Sequence, residues 1–171
     1  PFLRQTNDST LQSLNSSLRN TFYFNQTSSV FGADYTYQDN RNKQLLTNGF
    51  ESRVNTYHEV RARWNITRQF TLQCVYKEGI KKRSSLFFGS GNYFIDYFET
   101  EPKFSYQPGT TFRVSLSYKY SEKYNSPDLG DQKAFTNNFG MELKYNVLNK
   151  GSLQLKANYI EIKYNSPQNT T

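Results

Sequence analysis

Cysteine occurs once in the 171 residues, at Cys74. That excludes an internal disulfide framework and any cysteine-rich metal site. Histidine also occurs once, at His58, so a hydrolytic triad has a single imidazole to draw on as the base for its nucleophile. Long hydrophobic runs are missing. Even Leu86-Phe87-Phe88 stops after three residues, and no helical membrane span of about 20 apolar residues can be read. Apolar residues make up 35% of the chain, below the roughly 45–50% of ordinary globular domains. No signal-peptide pattern stands at Pro1, as expected of a mature protein or an internal fragment. No zinc or EF-hand spacing occurs, and Gly89-Ser90-Gly91 does not open a helix as a phosphate cradle would. No cofactor, no metal and no enzymatic activity are expected.

Aromatic residues, in contrast, are plentiful: 14 Tyr and 14 Phe bring the aromatic share to 17%. A disordered chain would be poor in them. Their arrangement has a period of two, the mark of strands. In Phe112-Arg113-Val114-Ser115-Leu116-Ser117-Tyr118-Lys119-Tyr120 every even position is apolar or aromatic and every odd one is Arg, Ser or Lys. Phe139, Met141, Leu143, Tyr145 and Val147 alternate in the same way with Gly140, Glu142, Lys144 and Asn146. The pattern predicts eight strands, at about 16–25, 29–38, 52–65, 69–79, 93–106, 110–122, 135–147 and 152–164. Several reach the 9–11 residues that cross a bilayer at a tilt.

Short turns are expected at 25–28, 65–68, 107–110 and 149–151. Points at 26, 67, 108 and 149 within them recur every 41 residues. Longer polar loops are expected at 39–51, 80–92 and 123–134. Short turns alternating with long loops are the pattern of outer-membrane barrels, with the short turns periplasmic. The sequence therefore predicts an all-β, antiparallel, up-and-down transmembrane β-barrel over 15–165, flanked by external segments at 1–14 and 166–171. On this topology both chain ends lie on the long-loop side, which predicts a sector of a larger barrel, flanked by further strands of the same barrel or of partner subunits.

Strand parity assigns the expected lumen-facing set: Asp34, Glu59, Arg61, Arg63, Lys77, Glu99, Glu101, Lys103, Arg113, Lys119, Glu142, Lys144 and Lys156. Charges of both signs recur there, as cross-strand ion pairs require. Glu99 and Glu101 share a face, and two carboxylates so placed serve more often as ion-pair partners than as general acid and base. Two aromatic belts are expected, one near the short turns (Phe22, Trp64, Phe70, Tyr106) and one toward the long loops (Tyr35, Tyr37, Tyr76, Tyr120). His58 and Asp96 break the apolar parity, which predicts a bulge, a subunit contact or the headgroup zone.

The net charge is +7, read either as a solvated surface or as attraction to anionic partners such as lipid phosphates. No nucleic-acid motif accompanies it, so nucleic acid is not an expected partner. Arg41, Lys43, Lys81, Lys82 and Arg83 are expected in external loops, as possible contacts for lipopolysaccharide phosphates.

The runs from Asn40 to Arg53, from Phe104 to Thr110 and from Lys150 to Leu153 resemble the C-terminal barrel region of large, poorly characterised outer-membrane proteins of Bacteroidota. The resemblance implies an outer-membrane location and a further hairpin or more. It brings no catalytic residue. Pore, transport or assembly scaffold is the function class it suits; the competing class is a soluble or surface-exposed β-rich binding module.

Overall fold

Alternating side chains need a pleated backbone whose two faces meet different surroundings, and the chain folds accordingly. The computed structural model describes residues 12–47, 49–85, 89–125, 132–147 and 151–165. Eight strands follow one another: β1 (Ser13–Phe24), β2 (Phe31–Leu46), β3 (Gly49–Asn65), β4 (Phe70–Ser85), β5 (Tyr93–Tyr106), β6 (Phe112–Asn125), β7 (Gln132–Val147) and β8 (Gly151–Asn165). Each pairs antiparallel with the next, in a single sheet of order β1 to β8. The sheet is unclosed, with β1 and β8 at its edges. The one helical element among the described residues is the three-residue turn Gly89–Gly91.

Turn chemistry fits the connections. Asn25 adopts φ +51°, a left-handed conformation that Asn tolerates, and its carbonyl accepts from the Ser28 N–H at 3.0 Å. Gly151, at φ +131°, needs the freedom that only glycine has.

The strand count agrees with the sequence reading, but the expected long loops need correction. Residues 39–46 and 49–51 are strand, closing as far as Leu46↔Gly49. Residues 80–85 belong to β4, and 123–125 and 132–134 to β6 and β7. Arg41, Lys43, Lys81, Lys82 and Arg83 are therefore strand residues rather than loop residues. The asymmetry of the sheet lies in the strands: they run on as paired arms of polar sequence. Of the expected terminal segments, Ser13 and Leu14 already lie in β1, while 1–11 and 166–171 fall outside the described residues.

The register passes through His58 (opposite Tyr37 and Glu78) and Asp96 (opposite Ile80 and Tyr124) without a bulge. One ladder does lapse. Glu101 and Pro102 have no paired partner on β6, although the register is the same on both sides, at Thr100↔Tyr120 and Lys103↔Ser117. Proline has no N–H to give a ladder.

The sheet has no second layer. Among the described residues, those that are buried are Gly32, Thr36, Glu51, Glu59, Tyr97, Ser115 and Ser121. By register all seven lie on the polar face. Tyr97 is the one buried apolar side chain among them. It flanks Gly79, with Tyr57 on the other side. A Cβ on Gly79 would collide with the Thr56 carbonyl oxygen and come within 2.6 Å of the Tyr57 Cβ. Gly79 thus lets β3 and β4 approach closely. Lys77 and Lys81, two residues to either side, reach over the rings of Tyr57 and Tyr97 at 3.9 and 5.0 Å.

Candidate functional site

The register brings Asp34, Glu59, Arg61, Arg63, Lys77, Glu99, Glu101, Lys103, Arg113, Lys119, Glu142, Lys144 and Lys156 onto one face of the sheet. Within that face they form ion pairs of three geometries. Arg61 pairs with Glu59 along β3. Lys77 reaches Glu59 directly across the β3–β4 ladder at 3.6 Å. Lys119 reaches Glu99 diagonally, at 3.1 Å. Lys156 lies 3.8 Å from Glu142, which also accepts from the Gln154 amide. Glu99 is thus an ion-pair partner, and among the described residues no imidazole or second carboxylate is hydrogen-bonded to it. Hydroxyl pairs fill the gaps, Thr21 with Thr36 and Ser105 with Ser115, each at 3.1 Å.

A denser cluster sits on the paired arms. Glu51 is buried and accepts from Arg53 at 2.5 Å and from Arg83 at 2.8 Å. The Arg83 and Arg53 hydrogen bonds hold its carboxyl below the usual carboxylate range. Asn15, Asn40, Asn42 and Asn55 line a nearby cavity of about 570 Å³ with Lys81 and Tyr93. Sequence reasoning missed this cluster, because it read the arms as loops.

The five basic residues assigned to lipopolysaccharide divide between the faces. Lys81 and Arg83 lie on the polar face, and Arg41, Lys43 and Lys82 on the other. Arg41 is held by Asp39 at 2.9 Å, and Lys43 lies over the Phe50 ring at 4.7 Å.

The opposite face is apolar and open. Phe22, Trp64, Leu116, Phe139, Met141, Leu153 and Leu155 are all exposed. This apolar face has a sharp boundary. Along β6 it runs from Phe112 to Tyr120 and stops at Glu122; along β8 it runs from Leu153 to Tyr159 and stops at Glu161. On β2, β4 and β5 the same boundary falls at Asp39, Glu78 and Asp96. Tyrosines line it from the apolar side. Tyr76 donates to Glu78 at 2.7 Å, and Tyr118 donates to Asn137 at 2.8 Å, whose amide in turn reaches Glu161 at 3.2 Å. His58 belongs to this border. Its Nδ1 lies 2.6 Å from the Tyr35 hydroxyl, and its ring packs on Tyr35 and Tyr37 at 6.0 and 5.0 Å.

Among the described residues no His, Cys, Asp or Glu cluster could hold a metal. No helix there is long and apolar enough to cross a membrane. Comparison with family models, curated proteins and solved structures finds no match to the chain.

Proposed function

We propose that the chain forms a membrane-embedded sector of an outer-membrane β-barrel, serving as pore, transport or assembly scaffold. The observation that carries this reading is the inversion of the faces. A soluble β-barrel or sandwich packs its apolar side chains inside. Here the buried residues are on the charged face, and most of the exposed large apolar side chains stand on the other; Tyr23, Leu46, Ile160, Ile162 and Tyr164 are the exceptions in the strands. Hydrocarbon is the surrounding that stabilises such a face, at ~25 cal/mol per Å² removed from water.

Two dimensions support it. The hydrogen-bonded row from Phe24, the last residue of β1, passes Ala33, Ala62, Cys74 and Pro102. In the same register it continues through Tyr118 and Phe139 to Tyr159, eight residues beyond Gly151 at the start of β8. At ~3.4 Å per residue and ~4.8 Å per strand spacing, that climb across seven spacings is a slope of roughly 40°. Closed membrane barrels tilt their strands by about 35–45°. The nine residues from Phe112 to Tyr120 then project to a height of roughly 21 Å, close to the ~25 Å apolar band of such barrels. Beyond the band the arms stand in water on the external side, with Arg41, Lys43 and Lys82 near the headgroups of lipopolysaccharide. His58 and Asp96, at the border, meet the headgroup zone.

The edges β1 and β8 carry unpaired N–H and C=O groups, which cost several kcal/mol each in hydrocarbon. Further strands therefore flank both in the assembled barrel. The bacterial source suggested by the sequence resemblance belongs to this same proposal.

The test is dependence on an amphiphile. The protein is expected to fold only in detergent micelles or lipid vesicles, with Trp64 reporting an apolar surrounding. A monodisperse, folded protein in detergent-free buffer would overturn the reading.

A further inference from the structure

The charge of the chain is not spread over it. Positions on the polar face of the eight strands carry thirteen Lys and Arg against six Asp and Glu, a balance of +7. Positions on the apolar face carry five of each, a balance of zero. The three basic and three acidic residues left over are not among those of the eight described strands, and they cancel. The net charge of +7 is therefore the charge of one face.

Toward the short-turn end this excess is least neutralised. Lys103, Arg113 and Lys144 have no carboxylate within salt-bridge distance among the described residues, whereas Arg61, Lys77 and Lys119 each have one; Lys103 and Arg113 share the more distant charge of Glu142 with Lys156. At that end a cavity of about 670 Å³ opens, lined by Arg63, Arg68 and Arg113. Gln69, Gln73 and Thr71 add neutral hydrogen-bonding groups, and no acidic residue lines it. Guanidinium groups present a planar fork that matches oxyanions two oxygens at a time. Rings of Arg and Lys select anions in pores, and a wall of one sign concentrates counter-ions beside it.

We infer that the short-turn mouth of the charged face is a binding and entry site for multiply charged oxyanions, of which phosphates and pyrophosphates are the simplest. This deepens the pore reading and rests on it for the word entry, while the binding site stands on the residues themselves. The Arg63 guanidinium donates to the Ser28 carbonyl at 2.9 Å, beside the β1–β2 turn. Arg68 lies on the turn between β3 and β4, outside the paired strands.

The experiment has two arms on the full-length protein. In planar bilayers under a potassium chloride gradient, the reversal potential should show preference for the anion, and millimolar pyrophosphate should reduce the conductance. In detergent, pyrophosphate should broaden in phosphorus NMR on adding the protein. R68Q, on a turn and harmless to the sheet, should weaken that binding several-fold, and R63Q/R68Q/R113Q at least tenfold. The lysine triple R63K/R68K/R113K keeps the charge, so it should keep the anion preference while losing much of the pyrophosphate affinity. Binding without conductance would sink the pore reading and leave the site standing. Conductance without anion preference, or pyrophosphate affinity equal in wild type and the glutamine variants, would overturn the inference alone.

Discussion

Replacing Leu116 with arginine separates a lipid-facing sheet from a water-facing one more cleanly than any other single change. Leu116 is the middle residue of the apolar stretch Phe112–Tyr120. It is 47% exposed and sits between Phe104 and Met141 in register. In a membrane it therefore lies near the midplane, where arginine costs about 2–4 kcal/mol. In water the same exposed position would tolerate arginine to within about 0.5 kcal/mol. The control is Asn158→Arg, three residues farther from the short turns than Leu116 and on the polar face, opposite Gly140. The assay is folding into lipid vesicles across a urea series, followed by Trp64 emission. Leu116→Arg should shift the midpoint by the amount above, and Asn158→Arg should leave it nearly unchanged. Equal effects from the two variants would refute the assignment of faces.

Further outcomes follow from other parts of the sheet. Gly79→Val should destabilise by about 1–3 kcal/mol, because its Cβ meets the β3 backbone, whereas Gly89→Ala, with nothing within 4 Å, should not; thermal melts in detergent compare them. The Glu51 carboxyl titrates below its usual value, so its stabilising effect is complete above about pH 4.3 and is lost as pH falls through the lowered value. Hydrogen exchange on the β2–β3 arm should accelerate at that acid end in the wild type, and Glu51→Gln should remove the pH dependence. In a Cys74→Ala background on intact cells, a cysteine at Ser84 should react with an impermeant maleimide and one at Thr67 should not; the opposite result would invert the orientation.

How far the sequence could be read depended on what each stretch of strand touches. Phe112–Tyr120 and Phe139–Val147 were legible because their two faces meet different surroundings, so the alternation is strict. Thirteen of the nineteen charged residues of one face were legible for the same reason, since parity survives any register. The arms were not. In Asn40-Arg41-Asn42-Lys43 both faces are polar, no alternation remains, and a strand composed this way looks like a loop. The individual ion pairs were also hidden. Whether Lys119 meets Glu99 or Glu101 depends on the register across β5 and β6, and hairpin closure fixes that register. The Glu51, Arg53 and Arg83 cluster combined both difficulties, being a register-dependent contact on an unrecognised strand.

The climb of the hydrogen-bonded rows means that residues joined by backbone bonds are not residues at equal depth. Leu116 is bonded into a row with Phe104 and Met141. Its equals in distance from the short turns are instead Tyr35, Cys74 and Leu155, each four residues past the first residue of its strand, as Leu116 is. A mutational scan around the wall must therefore step along a spiral, since a scan along the ladders would mix depths. The one native thiol happens to lie on that ring. In the proposed membrane sector, a probe on Cys74 is a depth gauge already in place, reading the distance to the bilayer centre with no engineered cysteine.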